Sequence, residues 1–479
     1  MDSSQMLLAL FLLGSFALYK SKFERQLGVF FIIRSSYGIK LIDLLARIKP
    51  AFWKFIADFS VYLSFGGIGA YYLSKSESRK ALYYGQILFA SLLFIIVSRG
   101  YGLPSGILLV LSFTAFAAFF HSRKDKTLDA FFSAITLAVL TNTLLPNTLI
   151  TIATALFGMP ALLIFGLVSH SLDILSGASN LPGVSPLMPT TQGGEVGVSF
   201  PGFDIFIPWW HALIAIIVTL VSHEAAHGIL TRVAGVKLKS TGILSLGALP
   251  IGAFVEPDED ELKRKSSIER MRVFTMGSFA NLAVGVLSII LFLLLSNSAP
   301  LLLQEHGIAV ISLTRGYPAE KILEQGDVIY SINNVSTDSI LLFQNATSQF
   351  KAGETVELNT SKGILQMTLA SAAGNASKGQ MGVLVSKIRF MTAAYSVDFL
   401  LEALGWIIFF SMNIALVNLL PVLPFDGGRM FKEIIDSLSL SEISVKRVIY
   451  GIAILTALTF VVNAIPLLGI IADFVHSLI

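Results

Sequence analysis

Residues 205–236 read IFIPWWHALIAIIVTLVSHEAAHGILTRVAGV, and this stretch decides the class of the molecule. The 18 residues of 205–222 are almost free of charge, the length of a membrane-crossing helix. The motif His223-Glu224-Ala225-Ala226-His227 then falls in the same helix. Two imidazoles and a carboxylate are costly in an apolar helix, so their presence there points to function. Residues i and i+4 share one helical face, so His223 and His227 can offer ring nitrogens to one metal ion. Glu224 points about 100° away from His223 and is placed to take a proton from a metal-activated water.

Working outward, the whole chain agrees. It has 479 residues, 54% hydrophobic and 14% charged, where a soluble domain carries about a quarter charged residues. The expected fold is an α-helical polytopic membrane protein of about ten crossings, embedded in the lipid bilayer. Apolar runs place these at 5–20, 55–74, 81–98, 103–120, 129–145, 147–169, 205–232, 273–296, 397–420 and 446–464. The 27–50 stretch mixes apolar residues with Arg34, Lys40, Arg47 and Lys49, and reads as a basic interfacial helix. The net charge of +3 gives no reason to expect nucleic-acid binding. With 0 cysteines, disulfides, thiolate metal ligands and a cysteine nucleophile are excluded.

Sidedness follows from the basic residues. Arg232, Lys237 and Lys239 follow the His223 helix, and Lys263, Arg264, Lys265, Arg270 and Arg272 precede the next run. Both put the 233–272 loop in the cytoplasm. The Gly/Pro/Ser-rich stretch 176–204 reads as an external linker, and 1–175 as a multi-span region without an assigned role.

Residues 306–390 differ in kind. Short alternating segments such as IAVISL, VIYSI and TVELNT are separated by Gly326-Asp327, Asn333-Asn334 and Lys362-Gly363 turns, which predicts a small β-rich insert. All four Asn-x-Ser/Thr sequons, at Asn334, Asn345, Asn359 and Asn375, lie in it, as expected of an exported surface.

A catalytic metal site needs a third protein ligand. The candidate is Asp426 in Asn418-Leu-Leu-Pro-Val-Leu-Pro-Phe-Asp426-Gly427-Gly428-Arg429. Its prolines break an apolar helix end, and Gly427-Gly428 permit a tight turn. Irregular backbone at membrane depth is tolerated where it lines a polar cavity.

HEAAH followed by NLLPVLPFDGGR resembles the site-2 protease family of intramembrane zinc metalloproteases, whose HExxH…NxxPxxxxDG pattern is matched at every fixed position. The resemblance covers roughly 205–440. It implies that His223, His227 and Asp426 bind Zn2+ and that Glu224 is the general base. It further implies that Asn418 holds substrate or stabilises the tetrahedral intermediate, and that Asn281 is a substrate-binding polar residue. GILSLGALPIGAFVEPDEDEL, at 242–262, resembles the family's membrane-dipping β-hairpin that presents substrate as a strand. The insert's GYPAEKILEQGDVIYSINNVSTDS, at 316–339, is similar to a PDZ domain, which implies a peptide or protein partner bound as an added strand.

The expected organisation is therefore first core helices at 205–300, a PDZ-like extracytoplasmic domain at 306–390, a third core helix at 397–440, and C-terminal membrane helices at 441–479. The resemblance implies regulated cleavage of membrane-embedded protein substrates in a prokaryotic cell membrane. The competing reading is a polytopic transporter with a metal or proton site. Such transporters are built from inverted repeats, and no repeat is visible in this chain.

Overall fold

The computed structural model describes residues 3–21, 23–26, 30–74, 79–123, 125–302, 307–372, 374–387, 391–438 and 441–478. It divides into two compact units, 1–288 with 405–479, and 289–404. The expected insert bounds, 306 and 388–390, lie outside the described residues.

The first unit opens with α1 (Ser3–Lys20), β1 (Glu24–Gln26), β2 (Phe30–Ser35) and α2 (Tyr37–Arg47). Lys49 in a positive-φ conformation, followed by Pro50, separates α2 from α3 (Pro50–Ser74). Then come α4 (Arg79–Tyr101), α5 (Leu103–Ser122), α6 (Lys126–Leu144), α7 (Thr148–Phe157) and α8 (Met159–Leu175). Side chains begin two of these helices. Asp125 accepts from the Thr127 and Leu128 amides, and Asn147 accepts from that of Ile150.

Six helices among the described residues are long and apolar enough to cross a membrane, rather than the ten expected. Two of them are α5 and α6. Two expected crossings are interrupted. The run 55–74 breaks within α3 at Phe65 and Gly66, and 147–169 is split by Gly158 into helices of 10 and 17 residues. The breaks meet: a Cβ on Gly158 would lie 2.4 Å from the Ser64 carbonyl oxygen, so both helices need a bare backbone there. Apolar composition shows none of this, because it counts hydropathy and not helix continuity.

The 176–204 stretch, expected as a linker, is built. The strands β3 (Met188–Gln192), β4 (Glu195–Ser199) and β5 (Phe206–Pro208) form an antiparallel sheet. Buried Ile207 packs with Ala212 and Ala215 at the start of the next helix. Alternation in VGVSF was masked by the surrounding glycines and prolines.

That helix is α9 (Trp209–Val233). It ends where Gly235 takes a positive φ and the Val236 amide donates to the Thr231 carbonyl. A hairpin follows, β6 (Leu238–Leu246) and β7 (Leu249–Pro257), turning at Gly247. The antiparallel sheet has the order β1-β2-β6-β7, so N-terminal residues complete it: Ile33 lies opposite Ile243. Arg34 on β2 bridges Glu24 and Glu256. The Ser240 hydroxyl, ahead of the Arg34 guanidinium, holds the Glu256 carboxyl below the usual range. After α10 (Glu259–Lys263) comes α11 (Ser267–Leu302).

The N-terminal region packs directly on these motif-bearing helices. Ile42 and Ala46 of α2 share a core with Ala226 and Ile229 of α9. Arg272 of α11 makes a bidentate pair with Asp58 of α3, at 2.7 and 2.9 Å, with Asp58 buried and the Arg272 side chain 13% exposed. Removing either partner would strand a buried charge, at a cost of about 3–5 kcal/mol.

The second unit contains β8 (Ile308–Leu313), β9 (Val328–Ile332), β10 (Val335–Ser336), α12 (Ile340–Ser348), β11 (Thr355–Thr360), β12 (Gly363–Thr368), β13 (Ala370–Ala372), β14 (Asn375–Gln380) and β15 (Val383–Lys387). Its main sheet runs β12-β11-β9-β8-β15, with β10 paired to β9, and Phe343 of α12 closes a core of Ile308, Ile329, Val356 and Leu358. Asn333 and Asn334 both take positive φ, the demand of the tight β9–β10 turn. The chain continues through α13 (Met391–Asn418), α14 (Asp426–Asp436) and α15 (Glu442–Leu478).

Candidate metal centre

Two elements of the first unit bring the donors together. His223 and His227 lie one turn apart on α9, and Asp426 opens α14. The two Nε2 atoms are 3.1 Å apart, and Asp426 Oδ2 is 3.1 Å from His223 Nε2 and 3.0 Å from His227 Nε2. Four-coordinate zinc with bonds of about 2.0–2.1 Å places its ligand atoms roughly 3.3 Å apart, so this triangle fits. Two imidazoles and a carboxylate are also a donor set that Zn2+ takes and keeps open for a fourth ligand.

Asp426 is delivered by close backbone approach. A Cβ on Gly427 would lie 2.1 Å from the Leu419 carbonyl oxygen, and one on Gly428 2.3 Å from the Val422 carbonyl carbon. The glycine pair therefore lets α14 start against the 419–423 segment, beyond the turn freedom expected of it. Farther along α14, Glu433 takes a bidentate pair from Arg270 of α11, both contacts at 2.7 Å.

Behind the triangle stand residues whose roles were not read from the motifs. The His227 ring presents Nδ1 to the Val273 carbonyl oxygen at 2.7 Å, which fixes the ring and leaves Nε2 for metal. Asn281 is fully buried, with its amide 3.2 Å from His223 Nδ1 and 3.2 Å from Ser222 Oγ. Gly277 faces both rings: a Cβ there would lie 2.3 Å from His227 Nε2 and 2.5 Å from His223 Nε2. The space beside the two Nε2 atoms is open because position 277 carries no side chain. The only sequence signal was its place in the small-residue run MGSFAN, which equally suits helix packing.

Glu224 faces elsewhere. Its Oε2 accepts the Val255 amide of β7 at 3.0 Å. Because β7 ends the sheet, that amide belongs to its free edge, and alternation turns Ala253 the same way. Glu224, Val255, Asn418 and the three donors line one cavity of about 410 Å3. Asn418 ends α13 there, whereas Asn281 packs behind His223.

The insert has a concavity of its own, of about 520 Å3, between α12 and the β14–β15 segment. Phe343, Gln344 and Thr347 line one side, and Gln380, Gly382 and Val383 the other. β15 is the terminal strand of its sheet.

An uncharacterized protein of Methanocaldococcus jannaschii is 33% identical over 225 residues, 47% of this chain and 57% of that protein, so the chain spans little more than half its length. A protein of Clostridium perfringens, provisionally named a zinc metalloprotease, is 26% identical over 296 residues, 49% of this chain and 85% of its own. A protein of Clostridium acetobutylicum with the same provisional name is 24% identical over 295 residues, 46% and 84%. Among solved structures, the PDZ domain of an SdrC-like protein from Listeria monocytogenes matches 16% of this chain and 86% of that one, at 24% identity and a TM-score of 0.16. Residues 211–467, more than half of the chain and enclosing every metal donor, match the profile of peptidase family M50, the site-2 protease family, and to that family the chain belongs.

Proposed function

We propose that this protein is an intramembrane zinc endopeptidase that cuts membrane-spanning protein substrates. One observation carries the reading: the donor triangle shares its cavity with a carboxylate resting on the free edge of a β-strand. An intact helix buries its carbonyls in its own hydrogen bonds, so a substrate helix must unwind before attack. An unwound segment added to β7 brings its main chain beside Glu224.

When bound, zinc acidifies a coordinated water and polarises a carbonyl. Glu224 leaves the Val255 amide as substrate pairs there, takes the water proton and returns it to the leaving amine. His227 keeps its Nδ1 proton on the Val273 carbonyl. With His223 ligating through Nε2 its Nδ1 carries a proton, and the Asn281 amide, whose Nδ2 stands 3.2 Å from that nitrogen, must turn its oxygen there to accept it. Asn281 is thus a positioning residue, and Asn418, on the cavity wall, holds substrate or donates to the developing oxyanion.

The insert would recruit a peptide or protein segment along β15 by strand addition, on the exported side of a prokaryotic cell membrane. The same reading carries over the domain organisation expected from sequence as part of the proposal, with strands β3 and β4 inside the 176–204 stretch. Its test is cleavage of a single-span substrate in proteoliposomes. Glu224→Gln should keep its metal and lose roughly a hundredfold or more in rate, the effect of removing a general base. Normal cleavage by metal-loaded Glu224→Gln protein would overturn the mechanism.

A further inference from the structure

The helix α2 has a face that the peptidase reading does not use. Its 11 residues reach about 16 Å, half of a bilayer core of roughly 30 Å, so it cannot cross. One side is docked: Ile42 and Ala46 are buried against α9. Nearly opposite, Tyr37, Leu41, Leu44 and Ile48 are 81%, 59%, 60% and 54% exposed. At 100° per residue these four fall within an arc of about 60°, an unbroken apolar stripe. Phe52, in the first turn of α3, is also exposed, at 52%. Lys40 and Arg47 lie together along one flank of the stripe and Lys49 follows its end, all three exposed. An apolar stripe edged by cations on a helix too short to span suits the boundary between headgroups and acyl chains.

We propose that the outward face of α2 is a binding surface for anionic lipid, immersed in the leaflet at the C-terminal end of α9. The charges select the occupant. Three exposed cations beside an apolar stripe match anionic headgroups over buried chains, whereas a soluble acidic protein would leave Leu41 and Leu44 unexplained. The docked side ties this surface to the metal-bearing helix. Asp43 pairs with Arg232 near the end of α9. Ile42 Cδ1 lies 2.7 Å from where a Cβ on Gly228, the residue after His227, would stand. Lipid binding by α2 therefore braces the turn of α9 that carries the second histidine. The surface itself does not depend on the peptidase reading.

The chain has 0 cysteines, so Leu44→Cys gives a single spin-label site on an exposed residue of the full-length protein. The label is followed in vesicles of phosphatidylcholine alone and in vesicles with added phosphatidylglycerol. Collision with oxygen against a water-soluble nickel chelate reads its depth. Immersion is expected to deepen with phosphatidylglycerol, and the triple variant Lys40→Gln, Arg47→Gln, Lys49→Gln should abolish that dependence. Each basic residue near an anionic surface is worth roughly a fivefold change in local partition. A label open to the nickel chelate in both vesicles overturns the proposal. So does immersion equal in both, which removes the anionic preference. A label shielded from both oxygen and nickel shows a protein partner or a second copy on this face, and overturns it as well.

Discussion

Among the terminal strands of the described sheets, β7 lies beside the metal centre and β15 beside the groove of the insert. Both offer the backbone pairing by which an extended chain is captured. They differ in what stands next to the edge. Beside β7 are Glu224, two histidines and Asp426 in one cavity. The groove at β15 is lined by apolar and uncharged polar residues such as Phe343, Gln344, Thr347 and Gln380, with Lys378 as the charged one. Strand addition is thus a recognition device shared by both. Chemistry is added only where ionisable groups are held against the edge by buried partners.

The largest effects should come from stripping the β7 edge of its chemistry. His223→Ala and Asp426→Ala are expected to lose bound zinc and cleavage together, measured as metal content and rate on the same preparation. Removing zinc from the wild-type protein with a chelator should do the same, and zinc should restore it. Retention of zinc by Asp426→Ala would break the assignment of the third ligand.

Gly277→Ala comes next. The added methyl falls 2.3 and 2.5 Å from the ligand nitrogens, so metal content should drop by at least tenfold while the helix persists. Gly405→Ala on α13 is the control, because nothing lies within 4 Å of that Cβ. It should keep its zinc and gain up to about 1 kcal/mol from helix propensity. Equal metal content in the two variants would remove Gly277 from the site.

A smaller effect is expected from Val255→Pro, which deletes the edge amide that Glu224 accepts. Proline is tolerated on an edge strand, so zinc should remain. One lost main-chain hydrogen bond predicts a fall in kcat/KM of roughly fivefold to tenfold. Unchanged kcat/KM would show that substrate does not pair with β7.

The smallest effect on cleavage sharpens the comparison from the other side. Gln344→Arg in the groove of the insert should weaken peptide binding, read by titration of a labelled peptide, and leave zinc content and cleavage of a minimal single-span substrate unchanged. Lost cleavage of that substrate would make the groove part of the catalytic path.

Much of the site was legible. His223, Glu224, His227 and Asp426 are marked by helical spacing and by proline and glycine breaks, which local sequence records. Asn418 falls on the cavity wall, where its motif suggests. Gly277 was not legible, because an absent side chain has no chemistry of its own, and its meaning appears only beside the imidazoles. Asn281 was read as polar and near the site, yet sequence does not tell which side of His223 it occupies. The N-terminal region was the least legible part. Ser35 pairs with Thr241 and Asp58 meets Arg272, contacts across about two hundred residues that leave no periodic trace.

The β2–β6 pairing also sets a timetable for the nascent chain. Synthesis at about 5–20 residues per second separates Ser35 from Thr241 by roughly 10–40 s. For that interval β2 has emerged and its future neighbour has not. Contacts so distant in sequence close late, after much of the local structure is in place. During the wait β2 has β1 on one side and an unpaired edge on the other, open to the wrong partner, and Arg34 near its end is the kind of charge that guards such an edge. When β6 arrives, the guard becomes a clasp: Arg34 closes onto Ser240 and Glu256, and the first residues made are fastened by the two-hundred-and-fortieth and its neighbours.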